Sequence, residues 1–358
     1  MNETTDSVHE TPPSRAACVA TRKRTTPTSL NLEKEVIANA KTTTPPVAPA
    51  SSTSVAPSAL ASMQMLRLQF THELEEDAEL DIFKGAVWHG VFGLALKSVD
   101  EEAYTCLFEP VQRAAFWRLI PPGNTEARLH AGSSLSASII LFNDAIAHAP
   151  ACAMAIMQMG NHGFGWRRSH ARLESLTGHI GDQPASLQTL FSLRATAECG
   201  VTASAIFSST RTAIPEHFAM NLISPLALKI DGQIQREPPS MEVVITRLLG
   251  RLVGLLPTLT DGFLAPTARV DLLHAAAAVR MSDADVCWFA WERYSGRQKS
   301  SMPFGGLVGQ IRYQGDPRDV ATVLPWLRLA EWLGIGSKTT FGQGQIALDF
   351  APQPVNAT

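Results

Sequence analysis

Charge is scarce in this chain: 18% of its 358 residues are Asp, Glu, Lys or Arg, and the formal net charge is −3. Nucleic-acid binders that work through overall basicity are therefore excluded, and any anionic polymer would have to be met by a local patch. Cysteine is limited to Cys18, Cys106, Cys152, Cys199 and Cys287, an odd number with no C-x-x-C pair. That pattern fits neither a zinc ribbon nor a disulfide scaffold, and it predicts reduced thiols of the kind found in the cytoplasm. No run of about 18 apolar residues occurs, and MNETTDSVHE has no basic stretch ahead of an apolar core. The expectation is a cytoplasmic protein with no membrane association. No H-x-x-x-H pair occurs, so neither a metal nor a cofactor is expected.

What is present is a chain with 45% hydrophobic residues, enough to bury two ordinary domains. Residues 1–62 are set apart by Thr, Ser, Pro and Ala, as in TTTPPVAPASSTSVAPSALAS, and such a stretch has too little to bury to offset the entropy of ordering. A disordered tail is expected there, with Arg22-Lys23-Arg24 as solvated charge. From Met63 the pattern changes. MLRLQFTHEL alternates with period two and puts Leu66, Leu68 and Phe70 on one strand face. Phe83 to Lys97 then places Val87, Val91, Leu94 and Ala95 at helical spacing, after Lys84-Gly85.

SLSASIILFND and RLESLTGHIG read as strands, and Asn143 to Met159 as a helix that Gly160 ends. A second series begins near Ala219. FAMNLISPLALKIDGQI reads as two short strands with turns at Ser224-Pro225 and Asp231-Gly232, and SMEVVITRLLGRLVGLL is a helix through Val243, Val244, Leu248, Leu252 and Leu255. An Ala-rich connector follows, then a strand around Cys287-Trp288-Phe289, the segment GGLVGQIRYQGD, a helix across VLPWLRLAEWLGI and a strand QIALDF. The order in each half is that of a ferredoxin-like β-α-β-β-α-β unit. The predicted fold is α+β: a tail (1–62) and two tandem ferredoxin-like domains (63–215 and 216–352).

Several segments carry chemistry. Gly334, Gly336, Gly342 and Gly344 allow positive φ and close backbone approach, so N–H groups there could face phosphate oxygens while Lys338 supplies a point charge. ERYSGRQKSS places Arg293, Arg297 and Lys299 together, and WRRSHAR places Arg167 and Arg168 after the loop GNHGFG. Both are candidate RNA contacts. A tight turn and a solvated edge strand are the plainer readings of the same residues.

The stretch MPFGGLVGQIRYQGDPRDVATVLPWLRLAEWLGIGSKTTFGQGQIAL closely resembles the C-terminal signature of the CRISPR-associated RAMP endoribonucleases that process precursor CRISPR RNA. Ile223-Ser224-Pro225-Leu226, Arg247 to Leu252, Arg293 to Gln298, and Gly160 to Gly165 with Arg167-Arg168 are similar to further segments of that family. The resemblance runs from about Met65 to Phe350. It implies cleavage without a metal, by attack of a ribose 2′-hydroxyl on the adjacent phosphate to leave a 2′,3′-cyclic phosphate. Such a step needs a base, an acid and cations around the phosphorane.

Histidine suits the base because imidazole titrates near neutrality. The family often holds a histidine in or near the first helix; here His89 lies in FKGAVWHGVFGLALKS, and Leu94 stands where many relatives place it. His89 is the first candidate and His162, in the glycine-rich loop, the second. Lys84 and Lys97 are candidate phosphate neutralisers. The remaining histidines, His72, His148 and His274 among them, carry no motif. The implied partners are CRISPR repeat RNA and other CRISPR effector subunits. Three functions stay open at this level: the processing nuclease, a non-catalytic relative that holds the RNA handle, and an interaction protein without nucleic acid.

Overall fold

The computed structural model describes residues 17–20, 57–61, 63–109, 115–180, 183–185, 201–209, 214–256, 263–295 and 300–350. The first unit is built from strands β2 (Gln64–Leu74), β3 (Trp117–Ile120), β4 (Ser134–Phe142) and β5 (Ala171–Ile180) and helices α1 (Gly85–Val99), α2 (Glu101–Phe108) and α3 (Ala149–His162). Its sheet has the antiparallel order β3-β4-β2-β5, the ferredoxin arrangement of four strands in which the first and third are neighbours. Strand β1 (Ala17–Ala20) lies at the edge of the other sheet, against Cys287 to Ala290.

The second unit repeats the plan with β6 (His217–Leu226), α4 (Met241–Leu255), α5 (Pro266–Ala278), β7 (Arg280–Ser295), β8 (Ser300–Gln314), α6 (Pro317–Leu333) and β9 (Ile346–Asp349), in sheet order β1-β7-β8-β6-β9. The ferredoxin-like α+β fold expected from the residues is the fold observed.

Alternation along β2 sorts its side chains between two cores. Leu66, Leu68 and Phe70 are buried under α1 and α3 with Trp88, Phe92 and Ile156, whereas Met65 joins Ile140 and Phe142 in the core of the second unit. A strand shows successive residues to opposite faces, so one sheet serves both units.

Two of the second unit's helices, α4 and α6, start at capping side chains. Ser240 accepts the Val243 N–H before α4, and Asp316 accepts the Arg318 N–H before α6. Asp231 and Gly232, with φ of 50° and 80°, make the expected turn between two-residue strands.

Several expectations are corrected. Leu94 is 53% exposed and Trp88 takes the buried place on α1, because the inward stripe runs through Trp88, Val91, Phe92, Ala95 and Leu96. Gly160 lies inside α3 and is small because a Cβ would sit 1.8 Å from the Ala171 carbonyl oxygen; the positive-φ cap is Gly163. Ser224-Pro225 is no turn but a bulged part of β6. The Ala-rich connector is helix α5.

Within the stretch expected to be a disordered tail, Ala17–Ala20 is a strand and Ser58–Ala61 a helical turn whose Leu60 is fully buried. Cys106 and Cys152 are free thiols, but Cys287 is disulfide-bonded, contrary to the expectation for all five. No helix among the described residues is long and apolar enough to cross a membrane.

Candidate active site at the junction of the two units

His89 lies one turn into α1, half-buried, where that helix meets the loop between α6 and β9. The two elements touch because Gly85 has no side chain: a Cβ there would be 1.9 Å from the Phe341 carbonyl oxygen. The imidazole stacks on Phe341 with ring centroids 3.8 Å apart, and Phe108 and Trp117 enclose it at 5.0 and 5.6 Å. Its Nδ1 is 3.1 Å from the Thr340 carbonyl oxygen, which can only accept, so Nδ1 carries the hydrogen and donates. In the neutral ring this leaves the lone pair on Nε2, the form a general base requires. The first unit thus supplies the imidazole, and the second unit sets its tautomer.

The glycine-rich loop is held in place largely by its own backbone. The N–H groups of Ile335, Ser337, Phe341, Gly342, Gln343 and Gly344 donate to Gly344, Ala227, Lys338, Thr339, Lys338 and Pro225 respectively. Gly342 and Gly344 have φ of 82° and 75°, as expected, but both are buried. A Cβ on Gly342 would meet Pro121 at 2.4 Å, and one on Gly344 would meet the Ile335 oxygen at 1.9 Å. Their smallness therefore serves packing, and their N–H groups donate to Thr339 and Pro225. Gly336 and Lys338 are the partly exposed members, with Lys338 at φ 58° and its Nζ 3.4 Å from the Phe304 ring centroid.

Arg118 fastens this loop to the first unit. Fully buried, it donates to the Trp332 carbonyl at 3.2 Å and to the Gln345 side chain at 2.5 Å, and Gly334 leaves room for the guanidinium. Sequence reasoning missed it, although a lone charge inside the apolar run AFWRLI was a signal. Thr340 acts through a backbone oxygen and had no signal.

Other candidates fall elsewhere. His162 approaches Ser98 at 3.4 Å, nine residues beyond His89 on α1 and thus about 13 Å along its axis. Trp166, Arg167 and Arg168 project from the turn closed by Phe164 and Ser169; all three are exposed, with Arg167 4.8 Å over the Trp166 ring. Phe164 stacks on Trp88, the neighbour of His89.

Lys84 is no phosphate neutraliser: it is fully buried and donates to the carbonyls of Asn124 and Glu126 at 2.6 and 3.0 Å. Burial pushes its pKa down to about 8, against the opposing pull of Glu126 and Asp81. Lys97 lies over the Tyr104 ring. Arg293 is paired with Met302 on the β7–β8 ribbon, its side chain outside the described part, and Arg297 and Lys299 lie outside the described residues. Among the described residues no three His, Cys, Asp or Glu side chains gather as metal ligands would.

Two ferredoxin-like units docked through a glycine-rich loop define the RAMP architecture that the motifs suggested. Residues 220–346 match the family model described as CRISPR-associated endoribonuclease Cas6, and residues 63–197 match one described as an N-terminal domain. The second unit carries the match to the Cas6 family model, and the chain as a whole is similar in fold to Cas6 structures. Among solved structures, a Thermus thermophilus Cas6 covers 80% of this chain and 98% of its own at 13% identity and TM-score 0.53. A Cas6 product complex aligns at 15% identity and TM-score 0.53, over 79% of this chain and 99% of that one. A partial Cas6-RT-Cas1–Cas2 complex aligns at 13% identity and TM-score 0.56, over 83% of this chain and 48% of that one. At such identities the likeness is one of fold. No curated protein matches the chain by sequence.

Proposed function

We propose that the protein is a metal-independent endoribonuclease that cleaves CRISPR precursor RNA within its repeats, with His89 as the general base. The observation that carries this reading is the hydrogen bond from His89 Nδ1 to the Thr340 oxygen, which leaves Nε2 as the basic atom of a half-buried imidazole at the junction of the units. The base would take the proton of a ribose 2′-hydroxyl as its oxygen attacks the adjacent phosphorus; the P–O5′ bond breaks and the leaving 5′-oxygen takes a proton from solvent, giving a 2′,3′-cyclic phosphate and a 5′-hydroxyl.

Arg167, Arg168, Gly336 and Lys338 are the proposed RNA contacts, with Arg293, Arg297 and Lys299 as further ones. Domain limits of 63–215 and 216–352 belong to the same proposal, as do work in the cytoplasm and association with other CRISPR proteins. The solved relatives titled as a product complex and as a Cas6-RT-Cas1–Cas2 complex support RNA and protein partners of this kind.

Incubation with cognate repeat RNA in EDTA tests the reading. Cutting to a cyclic phosphate supports it. Binding without cutting would favour a holder of the RNA handle, and absence of both would leave an interaction protein.

A further inference from the structure

The face of the first sheet turned away from its own helices carries a row of basic side chains. Arg118 on β3 and Arg67 on β2 are both register partners of Ile140 on β4, and His179 on β5 is the partner of Arg67. Directly opposed residues share a sheet face, so Arg118, Arg67 and His179 lie in one line with backbones spaced about 5 Å per strand. The second unit closes on this face. Arg251 on α4 donates from Nε to the Leu333 carbonyl at 2.8 Å, and Arg118 donates to the adjacent Trp332 carbonyl. Two guanidiniums therefore meet at one helix end, and Arg247 lies one turn from Arg251 on α4.

The electrostatics of this junction do not close. Among the described residues no carboxylate pairs with Arg67, Arg118, Arg247 or Arg251, and the partial negative charge at the end of α6 is about half a unit. Arg118 Nε, Arg251 Nη2, Arg247 Nε and His179 Nδ1 are buried without a hydrogen-bond partner. Burial, then the positive charges of Arg251 and Arg67, hold the Arg118 guanidinium well below its ordinary range. Unpaired charged donors are costly in such surroundings unless an anion completes them.

We propose that Arg67, Arg118 and Arg251 form a binding site for one phosphate group, with His179 and Arg247 at its margins. The fork of N–H donors on a guanidinium suits the oxygens of a phosphate. The site is on the opposite sheet face from Trp117 and Leu119, which point toward α1 and the His89 side, so it is separate from the proposed cleavage site. The phosphate is either a diester of bound RNA or free inorganic phosphate, and only the first source rests on the RNA-processing reading.

The variant that tests this is Arg67→Gln, because Arg67 takes no part in fastening α6; its Nε donates to Ser138. In wild type, millimolar inorganic phosphate should raise the melting temperature by several degrees beyond chloride of equal ionic strength. Arg67→Gln should lose most of that rise, while its melting temperature without phosphate stays level or increases as like-charge repulsion is relieved. If an RNA diester is the occupant, repeat RNA should bind Arg67→Gln about tenfold more weakly, and phosphate should compete with RNA in wild type but not in the variant. A lost phosphate effect with unchanged RNA affinity would assign the site to free phosphate. A wild type that binds no RNA yet is stabilised by phosphate would remove the RNA reading and leave the site standing. Equal phosphate effects in both proteins with unchanged RNA affinity, or none in either, would overturn the proposal.

Discussion

The loops that follow α3 and α6 occupy equivalent places in the two units, each between the third helix of its unit and the last strand of the four-stranded plan. Both helices stop at a glycine of nearly the same conformation: Gly163 with φ 73° and ψ 156°, and Gly334 with φ 70° and ψ 161°. Beyond that residue they part. A Cβ on Gly163 would meet the Arg168 oxygen of its own loop at 2.1 Å, so the loop folds back and sends Trp166, Arg167 and Arg168 into solvent. A Cβ on Gly334 would meet Arg118 of the other unit at 2.6 Å, so this loop is pressed against its neighbour and its glycines line a contact. Positive φ is common to both; what occupies the missing Cβ's place decides whether a glycine opens a surface or seals one. Under the proposed function the first loop would contribute to binding, and the second to the chemistry, through the hold of Thr340 on His89.

The hardest way to break that division is at His89. If the imidazole accepts the 2′-hydroxyl proton, His89→Ala should lower the single-turnover cleavage rate by roughly 10²–10⁴-fold with little change in RNA affinity. The wild-type rate should rise with pH until the ring is neutral and then level off. Equal losses of binding and cutting would make His89 a packing or contact residue, and unchanged cutting would transfer attention to His162.

Gly342 tests the sealing role of the second loop. Gly342→Val combines a positive φ with a Cβ 2.4 Å from Pro121, and the two effects together should destabilise the fold by roughly 3–5 kcal/mol. Urea unfolding measures this. A variant as stable as wild type that has nonetheless lost RNA would return Gly342 to the phosphate-contact role first expected of it.

His72 extends the comparison into the core beneath the first loop. Fully buried between Phe70 and Phe164, it donates from Nε2 to the Ile156 oxygen, and burial lowers its pKa to about 4. The folded pKa lies below the unfolded value near 6.5, so the unfolded chain takes up the proton first and stability falls as pH drops from 6.5 toward 4. The loss across that window is about 3 kcal/mol at most. Urea midpoints of wild type and His72→Leu between pH 7 and 4.5 should diverge, with the flatter dependence in the variant. Parallel curves would mean that His72 is protonated in the fold.

Strong periodicity made β2, α1, α4 and α6 legible, since each shows one continuous apolar face. Helix α5 was not legible: AAAA between His274 and Val279 has no polar residue to mark a face, and its burial is confined to Leu272, Ala275 and Ala276. Bulk polarity misjudged Leu60, because one apolar side chain in a Ser- and Ala-rich stretch gives no period to read. At the site, His89 was reached through the resemblance, whereas its orienting acceptor is a main-chain oxygen 251 residues away, which no side-chain pattern encodes. Arg67 and Arg251 were equally hidden, since their meaning comes from the register of one sheet and the end of a helix.

The smallest expected effect belongs to the exposed loop, and it isolates binding from chemistry. Arg167 and Arg168 are exposed, and Arg167 rests on Trp166, so their removal disturbs no core. If both contact single-stranded phosphates, the Arg167→Ala/Arg168→Ala pair should weaken repeat-RNA binding about tenfold near physiological salt. The slope of log affinity against log salt should shrink by roughly 1.4, the share of two contacts. At saturating protein the cleavage rate should stay within about twofold of wild type, because the loop meets α1 through Phe164 on Trp88 and not through the two arginines. An unchanged salt slope would mean that these arginines are solvated, and the difference between the two loops would then be one of packing alone. A normal slope change accompanied by a large loss of cleavage would mean that the first loop also orders α1, joining chemistry to binding where the comparison keeps them apart.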